Sequence, residues 1–107
     1  MTNEFIDIHA HCQLESGYPL DGLKLFCEVE DLLKFYDLYN VEKGVILPMG
    51  NPENPQIQSN EEVLTMARNS NGRFIPFCNL DPRAFYNSPT APLYDVLCFY
   101  RDKGCKG

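Results

Sequence analysis

Glu4-Phe5-Ile6-Asp7-Ile8-His9-Ala10-His11 opens the chain with strict alternation. Side chains of a β-strand point to opposite faces in turn. Phe5, Asp7, His9 and His11 are therefore expected on one face, and Ile6, Ile8 and Ala10 on the other. Two further apolar stretches read as strands: 43–48 (Lys-Gly-Val-Ile-Leu-Pro) and 73–80 (Arg-Phe-Ile-Pro-Phe-Cys-Asn-Leu). A short continuous apolar run fits a parallel strand covered on both faces. Pro76 costs the third strand a ladder donor and suggests a bulge or an irregular end there.

Helical periodicity fills the intervals. Val29, Leu32, Leu33 and Tyr36 make one apolar stripe over 28–39. Ser59 followed by Glu62 has the spacing of a capping box, and Val63, Met66 and Ala67 then mark the buried face of 60–69. Pro92 suits a first helical turn; Leu93, Val96, Leu97 and Tyr100 make the stripe of 92–103, with Gly104 as C-cap. The order is β-α-β-α-β-α, so the fold class is α/β with parallel strands joined by crossovers. Strand-to-helix loops (12–27, 49–58, 81–91) are long, and the returning links (40–42, 70–72, 104) are short. In α/β folds sites are built where the strands end and those long loops begin. Each unit takes about 30 to 40 residues, so eight would reach the usual size of a (β/α)8 TIM barrel, about 250 residues. Residues 1–107 hold three βα units and the start of a fourth strand, so they read as one domain or part of one, and as a single partial domain, less than half a barrel, if the fold is a barrel.

Composition agrees with a folded chain: of 107 residues 44% are apolar, 22% charged and 12% aromatic. Disordered and collagen-like classes are excluded. The net charge of −6 argues against a nucleic-acid module. It is uneven, at −9 over residues 1–62 and +3 over 63–107. That reads either as a solvated acidic surface or as a mouth that attracts cations. The five cysteines (12, 27, 78, 98, 105) are odd in number and lack Cys-x-x-Cys spacing, so reduced thiols in a cytoplasmic protein are expected. Met1 to Phe5 shows no signal-peptide pattern, and no apolar run approaches the length of a membrane span.

The polar cluster with chemistry is Asp7-x-His9-x-His11, which holds both histidines of the chain. A spacing of two puts the imidazoles side by side near the first long loop, about 6 to 7 Å apart at the backbone. That suits chelation of one divalent metal by His9 and His11; the alternative is a hydrogen-bonded core pair. Asp7 is either a ligand or an acceptor that orients a histidine. Cys12 has the opposite parity and reads first as a core thiol, second as a ligand. Asn60 is either a site residue or a helix cap. Arg83, after Asp81-Pro82, either clamps a substrate carboxylate or is a turn arginine. Tyr18, Phe85 and Tyr86 either wall a pocket or pack their loops down.

Ile6-Asp7-Ile8-His9-Ala10-His11 resembles the first-strand signature of the metal-dependent amidohydrolase superfamily, in particular the amidohydrolase-2 branch that includes aminocarboxymuconate-semialdehyde decarboxylase. Val41–Pro48 resembles that family's second-strand segment, and Asn60-Glu61-Glu62-Val63 its second-helix start. Asn71–Phe77 with Asp81-Pro82-Arg83 resembles the third-strand segment, and Gly104–Gly107 the start of the fourth. The resemblance implies a distorted barrel with one divalent metal, commonly zinc, and His9 and His11 as two of its ligands. The family's other ligands and its catalytic aspartate come from later strands, so the general base is expected outside these residues. It also implies a small carbonyl or carboxylate substrate attacked by a metal-activated water, or decarboxylation of such a substrate. A phosphoesterase of the PHP type also opens with His-x-His, and a non-catalytic α/β interaction module is the rival from outside enzymes. The 107 residues alone are expected to be inactive. They are expected to self-associate, or to bind the remainder of the barrel, because the outer strands lack neighbours.

Overall fold

The computed structural model describes residues 4–50, 53, 57–83 and 85–107. Residues 1–3, on which part of the reading of the N-terminus rests, lie outside it, as does much of the expected loop 49–58. Six elements alternate: β1 (Phe5–Ala10), α1 (Val29–Tyr39), β2 (Val41–Ile46), α2 (Asn60–Arg68), β3 (Phe74–Pro76) and α3 (Leu93–Lys103). The helices start and stop within a residue of the periodicity, whereas β3 is much shorter than 73–80. β1, β2 and β3 form one parallel sheet in that order.

Local chemistry explains the boundaries. Glu30 and Asp31 occupy the first turn of α1, where carboxylates complement the helix dipole. Asn40 ends the helix in the left-handed region (φ 57°) and returns its N–H to the Tyr36 carbonyl, so β2 begins one residue later. At α2 the Ser59 hydroxyl accepts the Glu62 N–H at 3.0 Å. The reciprocal half of the expected box is not made, because Glu62 Oε1 instead accepts the Leu14 N–H at 3.1 Å and ties the first loop to α2. α3 ends at Gly104, whose φ of 120° favours glycine.

Pro76 is accommodated by register. Alternate residues of an inner strand bond to alternate neighbours. The Arg73 carbonyl and the Phe77 N–H both serve β2, at 2.9 and 3.1 Å. The Pro76 nitrogen, needing no β2 partner, sits on the other side, and there its carbonyl accepts the Lys106 N–H at 2.8 Å. Cys78 donates to the Gly107 carbonyl at 2.8 Å. Residues 105–107 thus run beside β3 where the fourth strand was expected.

The core lies on one face of the sheet. Ala10, Cys12, Ile46 and Phe74 from strands and strand ends meet Tyr36 of α1 and Val63 and Met66 of α2. Val29, Leu32, Leu33 and Ala67 pack around them, as the stripes of α1 and α2 required. α3 departs from expectation: none of its residues is fully buried and Leu97 is exposed, because Val96 and Tyr100 border a groove rather than the core. At the N-terminal end of the sheet Arg73 donates to the Val41 and Glu42 carbonyls and pairs with Asp37 at 2.9 Å, a clamp between α1 and β2. Among the described residues no helix is long and apolar enough to cross a membrane.

Candidate functional site

β1 does not alternate throughout. Asp7 pairs with Gly44 and Ala10 with Ile46, three steps on β1 against two on β2. This is a β-bulge, and it reverses the parity of the residues beyond it. Asp7 therefore lies on the helix-covered side together with Ala10. Its Oδ2 accepts the hydroxyl of Tyr36, a core residue of α1, at 2.9 Å. Ile8, expected inside beside Ala10, is 79% exposed, and Ile6 is 55% exposed. The expectation that Asp7 shares the histidines' face is thus corrected by the extra residue in the bulge. Asp7 Oδ1 accepts the backbone N–H of His9 at 3.0 Å, which holds the bulge in place.

His9 and His11 do share a face. Their rings meet edge to face with centroids 5.1 Å apart and Nε2 atoms 3.2 Å apart. His11 Nδ1 lies 2.8 Å from the Leu47 carbonyl oxygen, one residue beyond β2. A carbonyl has no proton to give, so Nδ1 is the donor and in the neutral ring Nε2 carries the lone pair. That lone pair can take a proton from His9 or share a cation with it. Two nitrogens bound about 2.0–2.1 Å from a tetrahedral ion stand roughly 3.3 Å apart, so the observed spacing suits an ion held between them. Phe26 of the first loop flanks His11, ring centroids 5.5 Å apart. Among the described residues no group of three or more His, Cys, Asp or Glu is placed so that it could hold a metal ion. The pair therefore offers two ligands, and Asp7 is not a third.

Cys12 points the other way, as its parity required. It is fully buried, its thiol 3.6 Å from the Met66 sulfur, and the Gln58 amide bonds its carbonyl. Burial pushes its pKa up to about 12, with Cys27 and Glu62 adding to the shift.

Asn60 and Arg83 lie elsewhere. Asn60 is not the cap, which is Ser59. Its amide makes a reciprocal pair with the Asn79 backbone, accepting the N–H at 2.7 Å and donating to the carbonyl at 3.0 Å. Arg83 forks onto Glu53 at 2.7 and 2.9 Å, and this pairing pushes the Glu53 carboxyl below its ordinary range. Both residues line a groove of 410 Å³ between the start of α2, the loop after β3 and α3. Phe85 lines it too, while His9 and His11 do not. Tyr18 and Tyr86 are largely exposed. The structure therefore brings His9 and His11 together, places Asp7 behind them, and sets Asn60 and Arg83 in a separate groove. Sequence reasoning missed Tyr36 and Leu47 at the site. A tyrosine in an apolar stripe, whose hydroxyl needs a partner, and a glycine in a buried strand were signals available for the first. A backbone carbonyl leaves no signal.

No family model matches the sequence, and no curated protein matches it. The solved structure of a probable 2-pyrone-4,6-dicarboxylic acid hydrolase from Acinetobacter baumannii, with citric acid bound, superposes with a TM-score of 0.59 at 16% identity. The match covers 98% of this chain and 36% of that one, so the chain spans about a third of that protein's length. At this identity the likeness shows the fold: a three-stranded parallel α/β arrangement consistent with part of a TIM barrel.

Proposed function

We propose that His9 and His11 are the first two metal ligands of an amidohydrolase-like, metal-dependent hydrolase that acts on a small carboxylate-bearing substrate. The observation that carries the reading is the paired Nε2 atoms, 3.2 Å apart, with His11 Nδ1 held by the Leu47 carbonyl. An imidazole whose far nitrogen donates to a carbonyl is the usual form of a metal-ligating histidine. The ligand type suits zinc, which when bound polarises a substrate carbonyl and lowers the pKa of a water to about 7. His9 and His11 would hold the ion, with the His11 ring oriented by the Leu47 carbonyl and flanked on one side by Phe26. The general base and further ligands lie beyond the residues described. The hydrolase likeness, and the dicarboxylic acid named for that neighbour, support a carboxylate substrate. Five unpaired cysteines favour a reducing compartment, the cytoplasm.

Calorimetric titration of the metal-free chain with zinc tests the reading. One ion per histidine pair is expected, and His9→Ala or His11→Ala should abolish uptake. Wild-type uptake that survives both substitutions, or no uptake at all, refutes it and leaves the hydrogen-bonded pair of a non-catalytic module.

A further inference from the structure

We propose that Tyr36, acting through Asp7, is a positioning residue for the His9–His11 pair; the proposal rests on the metal-binding reading above. The chain of contacts is short and continuous. The Tyr36 hydroxyl donates to Asp7 Oδ2 at 2.9 Å, and Asp7 Oδ1 accepts the His9 N–H at 3.0 Å. Both carboxylate oxygens are thus engaged, and the His9 backbone is fixed at the bulge that reverses the strand's parity. Without that bulge His9 would follow Asp7 onto the helix side, away from solvent and from any ion. The phenol is itself over-determined. Its ring packs edge to face on Phe74, centroids 6.3 Å apart, and the residue is only 4% exposed. Its oxygen lies 2.0 Å from where a Cβ on Gly44 would stand. Gly44, the β2 partner of Asp7, therefore leaves the gap through which Tyr36 reaches across the sheet. Any side chain there would displace the hydroxyl and release Asp7.

The test compares Tyr36→Phe with wild type in the 107-residue chain, using circular dichroism to confirm the fold. Two readouts are taken: zinc affinity, with the cobalt(II) absorption spectrum as a report on ligand geometry, and exchange of the His9 amide proton by NMR. Arg73→Gln serves as control, because it loosens the α1–β2 joint without touching Asp7. Tyr36→Phe is expected to weaken zinc binding by about tenfold or more, the usual effect of removing a group that orients a ligand. It should also shift the cobalt spectrum and speed His9 amide exchange, while Arg73→Gln leaves all three unchanged. Wild-type behaviour of Tyr36→Phe, or equal losses in Arg73→Gln, would overturn the proposal. If Tyr36→Phe does not fold, Asp7→Asn and Asp7→Ala decide. Asparagine keeps an acceptor for the His9 N–H and a donor for the phenol oxygen, so it should bind zinc near the wild-type level, and alanine about tenfold more weakly. Equal affinities of the two would contradict the role. If wild type takes up no metal, the metal-binding reading has failed, and the His9 amide alone decides whether Tyr36 positions the histidine.

Discussion

One peptide step separates His11, half-buried beside the first loop, from Cys12, sealed against Met66. The chain keeps alternating just past the end of β1, so the same backbone serves a polar site and an apolar core. The consequence for Cys12 is a pH dependence with a definite sign. Burial, reinforced by Cys27 and Glu62, lifts its pKa from 9.0 to about 12. The folded thiol therefore keeps its proton where the unfolded one has lost it. The stability contributed by this group is complete below pH 9 and falls as pH rises from there toward 12. Cys105 acts in the same direction, raised to about 11 chiefly by burial. Urea midpoints at pH 8 and pH 10.5 should show the loss, and Cys12→Ser, which does not titrate in this range, should show less of it. The Cys12 thiol should also resist alkylation in the native chain at pH 8 and react once urea unfolds it.

Among the elements, α2 shows capping most plainly. Ser59→Ala leaves the Glu62 N–H without its side-chain acceptor and should cost about 1 kcal/mol, read as a lower urea midpoint with an unchanged slope. Helix α1 was legible because Val29, Leu32, Leu33 and Tyr36 obey one period and one burial rule. The β1 bulge was not, because a strand that gains one residue keeps the same alternating letters. The evidence for the reversal lies in partners distant in sequence, Gly44 and Tyr36, and alternation carries no information about them. β3 was over-read for a related reason: Phe77, Cys78 and Leu80 look like strand residues, yet the β2 ladder ends at Ile46–Pro76. The stripe of α3 was correctly placed but incorrectly buried. Periodicity shows which face is apolar, and burial depends on what stands opposite. Of the candidate site, the two histidines were legible from their spacing. The carbonyl of Leu47 and the separation of Asn60 and Arg83 into another groove required the folded chain.

At the scale of the whole molecule the structure is a slab, 50 × 35 × 20 Å, with a radius of gyration of 15.2 Å. A compact chain of this length would have about 13 Å. The excess reflects a sheet with α1 and α2 packed on one face while Ile6 and Ile8 stand exposed on the other. Phe5 is exposed as well, and β1 pairs only with β2 among the described residues. An apolar face beside an unpaired strand edge drives association. We therefore expect light scattering on the purified chain at tens of micromolar to report dimers or larger species, and a monodisperse monomer would contradict this. The connections are lopsided as well. Asn40 alone joins α1 to β2, and its carbonyl also accepts the Phe5 N–H at 3.0 Å, so an added residue there would break a cap and a strand start together. The links that leave the strands' other ends run from 11 to 28, 47 to 59 and 77 to 92. Doubling the length of a flexible loop costs only about 0.6 kcal/mol. The stretches of those segments that lie clear of His11, Cys12, Leu47, Ser59 and Phe77 can therefore change length without renegotiating the sheet, a freedom that the single-residue link at Asn40 denies.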